Sequence, residues 1–441
     1  MTKRYTFFRM PHGQPYRGED GKHAPSHMLA DLGRASSVGE GGGVSLPGPM
    51  FTKMEPALRS AFVVIGPDSR ELNETDSWAI LWQSINEVTK AAPGQPIIGG
   101  DLLKEADHRA AEFYRITPAP YVLVSSLSLD ALPTDPIEIG DCCISRVGDR
   151  KAEFPLPKVL MNRFRETPIS AHLDSSKYLP VRVTVSGKSV HDAVETALDA
   201  LTLLRGLWSL FATYGSWRIT MGRTEREPLG VIHSGPVTTL HTPEGAPVDD
   251  VYWYDPDFTQ DRELFTGKGN WPQIEKNRLF SMEKLSAHQY RRDLEALLIR
   301  YAAALDQPNT DLAFLQMWSI LEKITDTVGA NYDETIRRAV WLYSKESRPV
   351  AKEMLETLRH RRNQYVHSGR AGEGGDQVAY LIKSLVDPHL VKLIQNPFDV
   401  TSLKDYGEFL ALPTDLSTLE ERHRKLTRAV EFISGPKENK S

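Results

Sequence analysis

Leu358-Arg359-His360-Arg361-Arg362-Asn363-Gln364-Tyr365-Val366-His367-Ser368-Gly369 is the stretch on which the reading of this chain turns. Upstream of it, Pro349 suits the first turn of a helix, where its missing N–H has no partner to lose. Ala351, Met354, Leu355, Leu358, Arg362 and Tyr365 then follow one stripe at helical spacing, and Gly369 is a normal helix stop. The spacing predicts a helix over 348–367. Arg359, Asn363 and His367 recur at i, i+4 and i+8 on a separate polar strip. On an unbroken helix Arg362 and His367 stand about 140° apart around the axis, too far to grip one phosphate together. Either the helix unwinds before His367, which Ser368-Gly369 allows, or two copies of the motif meet across a symmetric dimer.

Working outward, the flanking sequence is helical. Leu279–Leu305 carries Leu294, Leu297, Leu298, Tyr301 and Leu305 at helical spacing, Asp311–Thr325 forms a second helix, and Asp333–Ser344 a shorter third. Beyond Gly372-Glu373-Gly374-Gly375, Asp376 can cap a helix to Ile394 that turns Val378, Leu381, Ile382 and Leu385 inward. Residues 276–434 are therefore expected to form an all-α bundle, with Leu416–Ile433 packed on it as an additional helix and 435–441 as a flexible tail.

Residues 51–275 mix periods. Ala61–Ile65, Pro120–Val124 and Val181–Val185 read as strands, and Trp78–Val88 as a helix. Val190–Phe211 is a long helix with Ser189 as N-cap and Asp192 completing a capping box. Residues 1–50 are a leader; closely spaced Gly39, Gly41, Gly42, Gly43, Pro47 and Pro49 predict loose packing there. The expected class is α+β, a mixed α/β N-terminal domain followed by a helical bundle.

The chemistry lies in the bundle. Arginine stays protonated and matches phosphate oxygens, histidine exchanges protons near neutral pH, and an amide can hold either in place, so this trio can act on a phosphodiester without metal or cofactor. Residues 351–370 hold Lys352, Arg359, Arg361, Arg362 and Arg370 against Glu353 and Glu356, a local net of +3 in a chain of net −5. The same residues also suit a solvated helix end, where cations complement the dipole.

Arg362-Asn363-x-x-x-His367 resembles the signature of HEPN domains, and Trp318-x-x-Leu321-Glu322 resembles an element of their ApeA-like branch, in the expected order. The resemblance spans roughly 279–396 and implies a HEPN-like bundle with metal-independent endoribonuclease activity. In that reading His367 is general acid or base on the ribose 2′-hydroxyl, Arg362 stabilises the phosphorane, and Asn363 orients His367 or the phosphate. Arg359, Arg361 and Arg370 would hold the RNA backbone, with Glu322 and Tyr365 in support. Glu322 could pair with Arg359 or Arg362, or simply face solvent. The resemblance also implies a homodimer through the bundle, and a role in antiviral abortive infection, with the N-terminal region as sensor or restraint and a phage-derived trigger or an antitoxin as partner. The alternative is a non-catalytic HEPN-like module for RNA or nucleotide binding, or for dimerisation.

Composition narrows the classes further. With 441 residues, 40% hydrophobic and 25% charged, the chain has the make-up of a soluble globular protein of two or three domains. A pI near 6.3 confines nucleic-acid contact to a patch. The two cysteines, Cys142-Cys143, fit neither a redox nor a zinc motif and suit a reduced strand. The absence of a secretion signal and of any 18-residue apolar run points to the cytoplasm and away from membranes. Ser186-Gly187-Lys188-Ser189 copies the end of a phosphate loop, but Arg182 stands where its first glycine belongs. His191-Asp192 lacks the further ligands of a metal phosphohydrolase, and Tyr252-Trp253-Tyr254 reads as a half-buried strand before a turn.

Overall fold

Two apolar cores organise the chain. The computed structural model describes all residues except 1–2, 10–14, 17–24, 47, 164–175, 216–228, 256–257, 259–261, 328–330, 369–374 and 435–441. Its first elements are strands Thr6–Arg9 (β1) and Pro15–Tyr16 (β2), helix Ser26–Ala35 (α1), the hairpin Ser37–Val38 (β3) and Val44–Ser45 (β4), helix Gly48–Ala61 (α2), strand Phe62–Val64 (β5), and helices Glu74–Ala91 (α3) and Gly99–Arg115 (α4). β1 lies between β2 and β5, antiparallel to both. Phe8, Leu29, Leu32, Leu58, Phe62, Leu81, Ile85 and Leu102 make this first core.

Within the leader, Phe8, Leu29 and Leu32 are packed into this core, whereas the glycine run at 39–43 is exposed. Gly39, Gly41, Gly42 and Gly43 lie in the exposed turn of the β3–β4 hairpin, while Leu29 and Leu32 give the preceding helix a buried face. Gly33 presses α1 against residues 95–97, where an added Cβ would stand 2.3 Å from the Gln95 carbonyl oxygen.

The second core begins with a sheet. Ala119–Leu127 (β6), Ile137–Ile139 (β7), Cys142–Arg146 (β8), the short helices Arg150–Glu153 (α5) and Lys158–Arg163 (α6), Leu179–Gly187 (β9), helix Val190–Thr213 (α7), Val237–His241 (β10) and Pro247–Tyr254 (β11) follow in order. The strands form one antiparallel sheet, β11-β10-β6-β9-β8-β7. Alternation sets its buried face: Leu179, Val181, Val183 and Val185 of β9 point inward, and Cys142 is buried beside a half-buried Cys143.

α7 lies between sheet and bundle. Ser189 caps it, accepting from the Asp192 amide at 2.9 Å, while Asp192 accepts from the Lys188 amide at 2.8 Å. The Lys188 ammonium donates to the Tyr114 and Ile116 carbonyls at 2.9 and 2.7 Å, so the phosphate-loop look-alike ties α7 to the end of α4. On its far side Gly206 admits the next helix layer, since a Cβ there would stand 3.0 Å from the Leu298 carbonyl oxygen.

The rest is helical: Trp271–Ala287 (α8), Arg291–Asp306 (α9), Thr310–Ile324 (α10), Tyr332–Ala339 (α11), Arg348–Ser368 (α12), Gly375–Gln395 (α13), Leu403–Leu410 (α14) and Leu416–Ser434 (α15). The expected single helix over 279–305 is two, broken at 288–290. There the ring of His288 stacks on that of Tyr290, and both reach the last carbonyls of α13: His288 Nε2 meets the Ile394 oxygen at 2.8 Å and the Tyr290 hydroxyl donates to Leu393 at 2.7 Å. Satisfying two orphan carbonyls of another helix outweighs three residues of helical continuity. Asp333–Ser344 likewise divides into α11 and a 3-10 turn at Val340–Leu342.

One continuous apolar cluster runs from the sheet, through Leu204 and Trp208 of α7, to Trp318, Leu355, Ile382 and Leu410 in the bundle. It crosses residue 275 without a seam. No helix among the described residues is long and apolar enough to cross a membrane.

His389 of α13 locks three helices. Its Nε2 lies 2.9 Å from the Ala339 carbonyl oxygen, a pure acceptor, so Nε2 carries the proton and Nδ1 accepts from the Tyr406 hydroxyl at 3.0 Å. Burial pushes its pKa down to about 4. The unfolded chain binds this proton first, so the contribution is whole above about pH 6.5 and is lost as the pH falls toward 4, by up to about 3 kcal/mol. Urea unfolding between pH 7 and pH 4 is expected to show the wild type losing more stability on acidification than His389→Gln; equal losses would refute the assignment.

The expectation that the last helix packs on the bundle is also corrected. No residue of α15 is buried, and Leu416, Leu426, Val430 and Ile433 are 69%, 65%, 62% and 83% exposed.

Candidate nucleic-acid interface on the Arg348–Ser368 helix

Ala351, Leu355 and Leu358 bury one side of α12, and half-buried Met354, Arg362 and Tyr365 continue that side toward its C-terminal end. This apolar anchorage determines which face the basic residues present. The backbone is helical through Ser368, so the unwinding ahead of His367 that Ser368-Gly369 allows does not occur. The positions of Arg362 and His367 therefore keep their angular separation of about 140° on one helix. The His367 side chain and all of Arg370 lie outside the described residues.

The three described arginines of the motif segment have different surroundings. Arg359 reaches off the helix to Asp333 at 2.5 Å and along it to Glu356 at 2.6 Å. Arg361 pairs with Asp311, whose carboxylate is nearly buried at the start of α10, at 3.2 Å. Of the three positions expected to hold RNA backbone, the two described ones are thus engaged within the chain, and the Arg361 pair fastens α12 to α10.

Arg362 is held otherwise. Its guanidinium sits over the Tyr332 ring, 4.9 Å from the centroid, and Nη1 makes a long 3.5 Å contact to Asn363 Oδ1. Among the described residues no carboxylate is in ion-pair contact with it. A ring face attracts the cation without occupying its N–H donors, which leaves them for an anion.

Glu322 completes the group. Its Oε1 accepts from the Trp318 indole N–H at 3.0 Å, and the Trp318 ring lies 6.3 Å from that of Tyr332. Of the alternatives for Glu322, a direct pair with Arg359 or Arg362 is not among the described contacts; Arg362 acts on it only through space. Burial raises the Glu322 pKa above the ordinary carboxylate value, opposed by the Trp318 hydrogen bond and the Arg362 charge. Tyr365 is half-buried on the anchored side.

The structure thus gathers Arg362, Asn363, Glu322 and Trp318 into one locality. Sequence reasoning missed Tyr332, which supports Arg362, and the acids Asp311 and Asp333 that take up Arg361 and Arg359. The acids had a signal, since each stands in a first helical turn facing a cluster of opposite charge. Tyr332 had none. It reaches Arg362 only because α11 packs across α12. Compared with protein-family models, curated proteins and solved structures, the chain matches none.

Proposed function

We propose that this chain is a metal-independent endoribonuclease of HEPN type, acting in the cytoplasm as a homodimer in antiviral defence. The observation that carries the reading is the setting of Arg362: of the described arginines in the motif, it alone rests on an aromatic face and an amide while its neighbours are ion-paired. Arg362 would meet the charge of the phosphorane, His367 would move the proton of the 2′-hydroxyl, and Asn363 would hold Arg362 in orientation. Glu322 and Trp318 would keep the Tyr332 platform in place. The unbroken helix supports a composite site, because one copy separates Arg362 and His367 around its axis and a two-fold partner can bring the two types of side chain together.

The test compares neighbouring arginines. Arg362→Met is expected to lower the rate of RNA cleavage about 10²- to 10³-fold, as loss of a transition-state charge donor does. Arg361→Met should instead act through folding, lowering the unfolding midpoint while the purified folded fraction cleaves within a few-fold of wild type. Rates are measured with a chelator present, and products analysed for the 2′,3′-cyclic phosphate ends that attack by the 2′-hydroxyl leaves. Equal effects of the two variants would remove Arg362 from the chemistry. RNA binding without cleavage by the wild type favours the non-catalytic alternative.

A further inference from the structure

The helix Leu416–Ser434 is 19 residues long and none of them is buried. A carboxylate starts it, with Asp415 Oδ2 accepting from the Thr418 amide at 2.9 Å, and the Lys425–Glu421 pair at 2.6 Å supports it along one side. These local devices are weak beside the cost of ordering such a helix in water. Leu416, Leu426, Val430, Phe432 and Ile433 are exposed, so apolar side chains face solvent along the length of the helix.

The spacing of that line is specific. Leu416, Leu419, His423, Leu426, Val430 and Ile433 advance by three, four, three, four and three residues. That is the a/d repeat of a coiled-coil seam, with Leu416, His423 and Val430 at a and Leu419, Leu426 and Ile433 at d. Five of the six are aliphatic. Phe432, also exposed, stands off this line at c, while the a/d repeat itself is the spacing by which one helix packs along another.

We propose that α15 pairs with α15 of a second copy of this chain as an antiparallel two-stranded coiled coil. The layers decide the direction. Antiparallel packing sets each a position against a d position, giving Leu416 against Ile433, Leu419 against Val430, and His423 against Leu426 of the other copy. All three layers then contain at least one aliphatic partner. Parallel packing would set His423 against His423 in the central layer and bring Asp415 against Glu420 of the second copy, an acidic pair on both flanks. Antiparallel flanks oppose Glu420 to Thr427 and Arg422 to Ala429, with no like charges in contact. This contact uses no residue of the Arg362–His367 site and stands apart from that reading.

The experiment is disulfide trapping in the full chain. The double variant Leu416→Cys/Ile433→Cys is expected to form a covalently linked dimer under mild oxidation, because the two positions face each other across copies. Within one helix they are about 25 Å apart and cannot join. Neither single variant should link, and adding Leu426→Asp to the double variant should abolish linkage. The variants keep the folded body, since the helix buries nothing, and wild type controls for Cys142 and Cys143. No linked dimer from the double variant overturns the proposal. So does linkage by a single variant, which would mean a parallel pair, or linkage that survives Leu426→Asp. A dimer built through the bundle alone gives the first of these results, so this contact and the functional proposal fail separately.

Discussion

Replacing His367 by alanine is expected to lower RNA cleavage by about two to four orders of magnitude while leaving RNA affinity within a few-fold. The loss follows from the proton inventory. Attack by a 2′-hydroxyl requires removal of its proton, and departure of the 5′-oxygen requires delivery of one. Imidazole is the side chain of the motif that does both near neutral pH. Phosphate affinity rests on arginine charge, which the substitution leaves in place.

Mixing the inactive variants sharpens the result. If one copy supplies Arg362 and the other His367, heterodimers of Arg362→Met with His367→Ala contain one intact site, and random exchange restores about a quarter of wild-type activity. If each copy assembles its own site, mixing restores nothing. In cells, growth arrest and new RNA ends should accompany the wild type and vanish with His367→Ala; equal growth and unchanged RNA, with and without phage, would sink the nuclease proposal.

The second large effect is on stability. Asp387→Ala is expected to cost about 3–5 kcal/mol, the range for leaving a buried charge without its partner. Asp387 on α13 accepts from the Lys383 ammonium at 2.5 Å and from the Tyr301 hydroxyl at 2.8 Å, and the side chains of Asp387 and Lys383 are 3% and 4% exposed. Truncation strands an ammonium and a phenol in the middle of the bundle. Replacing the whole pair, Lys383→Met with Asp387→Leu, should recover most of that loss, because the desolvation cost of both charges disappears with them. Denaturant unfolding of the three proteins checks this; a single variant within 1 kcal/mol of wild type contradicts the pairing.

Arginines of the motif that composition makes look alike differ in their surroundings. A cluster of arginines suggests a uniform phosphate-binding strip, yet Arg361 is a brace to Asp311 and Arg359 answers Asp333 and Glu356. The Arg359 pairs are partly exposed and so worth little, which lets phosphate compete for that guanidinium. The Arg361 carboxylate partner is nearly buried, which does not.

Local chemistry alone determined several of the elements. Period two over Val181–Val185, the Ser189 cap with Asp192, and Pro349 in the first turn of the helix Arg348–Ser368 were all legible, because each depends on residues within a turn or two of one another. The division into a mixed N-terminal region and a helical C-terminal region follows from the same signals. Tertiary structure alone decided the rest. His288 and Tyr290 break a helix because they serve carbonyls more than a hundred residues away, the leader packs because its Leu29 and Leu32 meet a core made by later helices, and Tyr332 reaches Arg362 by the crossing of two helices. The helix of α15 was legible but not that it stays uncovered, since local spacing predicts a helix and only the packed chain shows which faces its own core leaves bare.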